Sequence, residues 1–456
     1  MSPRKLFWLL APISLLARPT LAPAQFTFTT NNGALTITAY SGNAATLVIP
    51  GATNGYPIAA IGASAFQRRS SLTNVLLPDS LVTIGDSAFT SCFGLATINF
   101  PSHLTTIGSH AFDGCKLTTV ALSQTVTNIG YYAFAGCSAL ERITVDDLNL
   151  SYCDLDGVLF NRTQTTLIQC PARISGTYSV TNTVTAIGDG AFSGSALQII
   201  ALPAIVGNLG ANAFANATNL TSIAIPATLT NIGLSAFAGC RSLLNVSLPD
   251  GVPSVGWYTF FRCSGLTNLN LGQGITSIGE SAFYGCSGLT RLAIPDSVTN
   301  LALQAFVDCS GLRTVWVGKR VASIGDSAFL GCVNLTGIYF TGNAPSVGSS
   351  VFGYSSVMVY YLPQTTGWQP NLGGWPTKLW NPAVQTGPPD FGFRSNRFGF
   401  TIIGTADISI VIEASPILGA GPWTALQSGS LTNGSFDFSD ADGTDYPARL
   451  YRVRSP

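Results

Sequence analysis

The residues of this chain best equipped for chemistry are ten cysteines, two histidines and an acidic cluster near the C-terminus. Thiols can form disulfides, ligate zinc or act as nucleophiles, imidazoles can move protons, and clustered carboxylates can hold calcium. Spacing decides among these. Eight of the cysteines (Cys92, Cys115, Cys137, Cys240, Cys263, Cys286, Cys309 and Cys332) each stand three residues after a phenylalanine. One position used eight times is a core slot, and Ala217 and Ser195 fill it where cysteine does not. A free cysteine there behaves as a small buried hydrophobe, so the pattern reads as a ladder of structural thiols. Cys153 and Cys170 lie outside the ladder, and a disulfide between them stays open. With no C-x-x-C and no nearby histidine cluster, zinc fits poorly.

The remaining candidates are weaker. His103 falls at a corner of the repeat and His110 replaces Ser87 of the preceding repeat, so both read as surface substitutions rather than general bases. Asp86 and Asp326 share one repeat position, which points to capping and not to an acid–base pair. Asp440, Asp442 and Asp445 in D-A-D-G-T-D form a weak calcium candidate. They lack the full calcium-loop pattern, and an Asx-turn accounts for them better. No nucleophile elbow, phosphate loop or H-E-x-x-H motif is present. The expectation is no catalysis, no cofactor and no metal.

The elements that hold these residues follow from the phenylalanine itself. It stands at Phe66, Phe89, Phe112 and Phe134, and again at Phe192, Phe214, Phe237, Phe260, Phe283, Phe306, Phe329 and Phe352. The steps are 22 or 23 residues, except for one of 58. A period in the twenties means stacked coils, none able to bury its core alone. In the coil from Leu72 to Leu95, Leu72, Val75 and Leu77 form an L-x-x-V-x-L strand and Pro78 ends it. Leu81 and Ile84 follow, Gly85 permits a tight corner, and Asp86 or Ser87 caps a short helical turn. Ala88, Phe89, Cys92 and Leu95 point inward. Roughly thirteen such coils, about 4.8 Å apart, give a rod on the order of 60 Å long.

The motif I-G-x-x-A-F-x-x-C-x-x-L-x-x-I-x-L-P, seen at Ile84–Pro101 and Ile278–Pro295 with only apolar exchanges in its last strand, resembles the leucine-rich repeats of BspA-like bacterial surface proteins. The resemblance covers about residues 45 to 380. Ordinary leucine-rich repeats carry Asn or Cys three residues after the strand; here Ser80, His103 and Thr228 stand there, as in the BspA-like class. The fold class expected is an α/β solenoid: a right-handed stack of coils with a parallel sheet on one face and short helical turns opposite, followed by a small all-β domain. The 58-residue step reads as a variant segment in which Asp156–Phe160 and Thr166–Gln169 are strands around the Asn161–Thr165 turn. Similar inserts occur in BspA-like proteins.

The ends carry other signals. Arg4 and Lys5, the apolar run Leu6–Leu16 and Ala22-Pro23-Ala24 read as a secretory signal peptide. The run is too short and too interrupted for a membrane anchor. Residues 25–44 are expected to form an N-terminal cap, 45–356 the solenoid with its variant segment at 146–183, and 357–383 a C-terminal cap. There Trp368, Trp375 and Trp380 would cover the last coil, with glycan stacking as the functional alternative. Residues 384–389 read as a linker and 390–456 as a small β-sandwich, similar to a C-terminal module found on many secreted bacterial proteins. Lys+Arg and Asp+Glu are both 21, and only 9% of residues are charged, so no basic stripe exists for nucleic acid.

A solenoid recognises partners with its exposed sheet face. The outward ladder along the L-x-x-I-x-L strands is mostly small but includes Trp316 and Tyr339 on neighbouring strands. With Asn268, Asn270 and Arg291 these form the expected ligand patch, against the alternative of cross-strand stacking with no ligand. A second patch, Trp257, Tyr258, Phe261 and Tyr284, lies on the opposite side, with packing between coils as its plain reading. The BspA-like resemblance implies adhesion. The expected function is therefore a secreted or cell-surface protein that binds another macromolecule, a protein or a surface glycan, without chemistry. The alternatives are a structural scaffold that displays the C-terminal module, or carbohydrate binding through the tryptophans.

Overall fold

In the computed structural model, described here for residues 25–353, 355–387, 391–394, 397–416, 422–442 and 449–454, the repeats form a β-solenoid of stacked coils. The expected signal peptide lies outside the described residues. The coils contribute short parallel strands to two faces, each face divided into several short sheets along the stack. One face carries the L-x-x-I-x-L segments, for example Asn245–Ser247 beside Asn268–Asn270 and Arg291–Ile294 beside Thr314–Val317. The other carries the strands that end at the I-G corner, such as Ser254–Val255, Ser277–Ile278 and Asn300–Leu301 in register. Between them lies a core of buried Leu, Ile, Val, Phe and Cys, in two parts that meet at the variant segment. At the N-terminal end Phe26–Asn31 and Ala34–Tyr40 form an antiparallel hairpin, and Tyr40 closes the phenylalanine stack 5.2 Å from Phe66.

The expected α/β class is corrected to a β-solenoid, because the described residues contain no helix. The phenylalanine segments are tight turns in which two residues per coil adopt left-handed backbone, for example Ser87 (φ 56°) and Ser91 (φ 60°) or Ser235 (φ 56°) two before Phe237. Such residues cannot continue a right-handed helix. Hydrogen bonding changes accordingly. The N–H groups of Ser87, Phe89 and Ser91 donate to carbonyls of Ser109, Ala111 and Asp113 in the next coil at 2.8 Å, while those of Ala88, Thr90 and Cys92 close turns within the coil. A helix would keep all of these to itself; here half of them join coil to coil. Asp86 likewise caps its neighbour and not its own turn, its Oδ1 accepting the Ser109 N–H at 2.7 Å.

The same logic explains the corner glycine. Gly233 does not need a positive φ; a Cβ there would lie 2.3 Å from the Ala211 nitrogen of the preceding coil. The phenylalanine rings stack in two files with centroids 4.9–5.8 Å apart and planes within 20°, Phe66 to Phe134 and Phe192 to Phe352. The files are interrupted at the variant segment, where Tyr152–Leu155, Val158–Asn161 and Thr166–Gln169 form an antiparallel meander. Leu159 faces the N-terminal core and Val158 and Phe160 the C-terminal one, so a single strand is the wall between them. Cys170 takes the phenylalanine slot of this coil, its N–H donating to Ala191 as Phe89 donates to Ala111.

Beyond the last coils, Trp368 stacks on Tyr361 at 5.0 Å and Trp375 meets Phe352 edge-on at 5.0 Å, so both rings close the end of the core. The expected linker begins as structure: Ala383–Val384 pairs with Ile402 and Ile403. The C-terminal module is two antiparallel sheets around Phe400, Ile402, Ile408, Ile410, Ile412, Leu431 and Phe438. Among the described residues no helix is long and apolar enough to cross a membrane.

Candidate functional site

The sheet face is built from rows of side chains at 23-residue spacing. Alternation along each strand turns every second residue outward. In one row Asn245, Asn268, Arg291 and Thr314 follow one another from strand to strand; in the next, Ser247, Asn270, Ala293, Trp316, Tyr339 and Tyr360. The polar part of these rows is tied together. Asn268 Nδ2 donates to Asn245 Oδ1 at 2.6 Å and Asn270 Nδ2 to the Ser247 hydroxyl at 3.1 Å. Asn268, Asn270 and Arg291 are all exposed.

The aromatic part is placed differently from expectation. Trp316 and Tyr339 do stack, at 4.8 Å, and Tyr339 stacks on Tyr360 at 4.7 Å. However, the C-terminal module sits over them. Trp380 stands edge-on to both Trp316 and Tyr339, at 6.0 and 6.1 Å, and its indole N–H donates to the Ser409 carbonyl at 3.3 Å. Tyr339 is only 2% exposed, and it shares one core with Phe400, Ile402 and Ile410. These two rings are therefore anchors for the chain's own module rather than an open patch. Large aromatic surface at a sheet face is covered wherever the chain can reach it.

Docking the module there leaves a cleft beside it of about 1240 Å³. Its floor is the sheet face, where Asn245, Ser247, Asn268, Asn270 and Arg291 stand among small and apolar residues such as Ala224 and Ala293; Trp316 lines it too, and Glu413, Arg452 and Arg454 of the module form the wall. These last three were not legible as a site in the sequence. Arg452 and Arg454 alternate onto one face of Leu450–Arg454, and Glu413 lies on the strand paired with it. Arg452 Nε donates to Glu413 Oε2 at 2.7 Å and Arg454 Nε to Oε1 at 2.6 Å. The Arg452 guanidinium also lies 4.4 Å over the Trp423 ring. Burial opposes the charge on Glu413, but the hydrogen bonds and charges of Arg454 and Arg452 outweigh it and hold the carboxyl below its ordinary value.

The other candidates resolve as structural groups. Asp440 Oδ2 accepts from Arg449 and from the Tyr451 hydroxyl, both at 2.7 Å, and its Oδ1 accepts the Asp442 N–H, an Asx-turn. The calcium candidate thus has its first carboxylate engaged by protein; Asp445 lies outside the described residues. In the second patch Tyr258 meets Phe261 at 5.5 Å, Phe261 meets Tyr284 at 5.1 Å and Arg262 covers the Phe261 ring, leaving Trp257 and Tyr258 as the exposed members. His110 stacks on Tyr132 and bonds Asp113. All ten cysteines are free thiols. Cys153 and Cys170 cannot bridge: the strand Val158–Asn161 lies between theirs, which separates them by roughly 10 Å, beyond disulfide reach.

Comparison with known proteins agrees with this architecture. The family model described as a BspA type leucine rich repeat region matches residues 59–176, 173–286 and 231–359. The chain belongs to the BspA-type leucine-rich repeat family. Among solved structures, a leucine-rich repeat protein from Eubacterium ventriosum is 24% identical with a TM-score of 0.55, over 66% of this chain and 91% of that one. A leucine-rich repeat protein from Bacteroides ovatus is 25% identical with a TM-score of 0.39, over 69% and 93%. A leucine rich cell surface protein from Faecalibacterium prausnitzii is 22% identical with a TM-score of 0.38, over 70% and 94%. No curated protein matches.

Proposed function

We propose that this chain is an exported recognition protein that binds another macromolecule in the cleft between its sheet face and its C-terminal module. Membership of the BspA-type repeat family supports a binding role, and the n-region, h-region and small-residue site of residues 1–24 support export to the surface or medium. The observation that carries the reading is the cleft itself: a large concavity whose floor carries rows of outward Asn, Ser and Arg side chains, two pairs of them hydrogen-bonded from strand to strand. Clefts between packed units are where ligands bind preferentially. No step of chemistry is assigned to it.

The test is binding of the mature chain to an array of purified matrix proteins, cell-surface extracts and glycans, beside an Asn268→Ala/Asn270→Ala/Arg291→Ala variant. A ligand held by the parent and lost by the folded variant supports the reading. A ligand held equally by both overturns the placement in the cleft. The scaffold alternative loses support from the docking of the module, which is packed on the coils rather than held out at the end of a rod. Glycan stacking on Trp368 and Trp375 loses support because those rings are spent on closing the core.

A further inference from the structure

The cleft is electrostatically one-sided, and from that we infer its ligand class: an extended acidic segment of a partner protein, rich in Asp or Glu. The inference rests on the cleft being the binding site. Four charged side chains line it, Arg291, Arg452, Arg454 and Glu413. In a chain whose Lys+Arg and Asp+Glu are equal at 21, this local excess of two positive charges stands out.

The excess is built in. Glu413 is 5% exposed, and both its oxygens are taken by Arg452 and Arg454, so it presents little negative charge to a ligand. It also orients the two guanidinium groups, with Trp423 holding Arg452 flat from the other side. Because the Arg454 and Arg452 contacts favour the ionised carboxylate, the arrangement persists at neutral pH. Arg291 rises from the floor, exposed and without an ion-pair partner among the described residues. Planar guanidinium groups suit bidentate recognition of carboxylates.

The shape adds the word extended. The floor crosses five parallel strands, from Ser222–Ala224 to Thr314–Val317, which spans roughly 20 Å. About six residues of extended chain cover that length. Asn245–Ser247 pairs with Asn268–Asn270 and Arg291–Ile294 with Thr314–Val317; beside these ladders the floor offers amide and hydroxyl side chains (Asn245, Asn268, Asn270, Ser247), which donate to and accept from a peptide backbone.

The probe is a fluorescent decapeptide alternating Glu with Gly and Ser, its Gln counterpart, and a uronate oligosaccharide of similar length, each titrated into the mature chain. The acidic peptide binds, the Gln peptide binds at least about tenfold more weakly, and raising salt from about 0.05 to 0.5 M weakens the complex steeply. Arg291→Ala weakens it about tenfold with an unchanged melting curve, whereas Arg291→Lys, which keeps the charge, loses less. Equal binding of the Gln peptide, or no loss in Arg291→Ala, overturns the inference. Binding of the uronate in place of the peptide overturns it in favour of an acidic glycan. A macromolecule found on the array that competes with no acidic peptide leaves the cleft reading standing and removes this one. An array with no ligand removes both.

Discussion

At the scale of the residue, the cysteine is the informative choice. Each ladder thiol donates to the carbonyl of the phenylalanine one coil back, from Cys92 to Phe66 at 3.0 Å through Cys332 to Phe306 at 3.2 Å. That carbonyl already accepts the N–H three residues on in its own coil (Arg69 for Phe66, Cys309 for Phe306), so the thiol fills a second lone pair, which alanine cannot do. Burial then pushes Cys240 and Cys286 up to about 12, and Cys92 to about 11. The native protein is therefore expected to react with a thiol reagent at Cys153 alone, the one half-buried thiol, with all ten reacting after denaturation. Mass spectrometry of the labelled protein checks this. The sign of the pH effect follows. With a folded pKa raised above the unfolded value of 9.0, the thiols' contribution is complete below about pH 9. It is lost as the pH climbs from there to about 12. Alkaline melts are expected to show it, and a Cys286→Ala variant should flatten the loss while lowering stability at pH 7 by about 1–2 kcal/mol.

At the scale of the element, the turn opposite the sheet is held by left-handed residues, and several of them are not glycine. Ser235 is one, at φ 56°. Ser235→Gly should be neutral or stabilising, because it relieves the cost of a Cβ in that region, whereas Ser235→Val should cost about 1–3 kcal/mol. Urea unfolding of the two variants separates this turn from a helical one, in which glycine would be the worse residue. The short helical turn expected from Asp86 and Ser87 fails for the same reason. Capping residues and small side chains mark a turn of either kind, and the hydrogen-bond partners that distinguish them sit in the next coil.

At the scale of the whole molecule, the C-terminal module is riveted to the coils through Trp380 between Trp316, Tyr339 and Ser409. Trp380→Ala is expected to loosen the module while leaving the coil stack folded. Limited proteolysis should then cut within residues 384–390 faster than in the parent, and the main melting transition should stay in place. Equal proteolysis rates in both would mean that the aromatic contact does not hold the module. Widening the joint would also dissolve the cleft, so this variant should weaken any cleft ligand without touching Asn268, Asn270 or Arg291.

The repeat period, the inward set and the thiol ladder were determined by the sequence alone. A 23-residue step puts like residue on like, and the core of one coil is the core of all. The outward rows were legible for the same reason, including the neighbours Trp316 and Tyr339 and the polar run through Asn268 and Arg291. Only the tertiary structure decided what lies above those rows. Residues 390–456 share no period with the coils, so nothing in their spacing says where they dock. Glu413, Arg452 and Arg454 become part of one cleft with Arg291 only because buried aromatic surface on the sheet face draws the module down beside it.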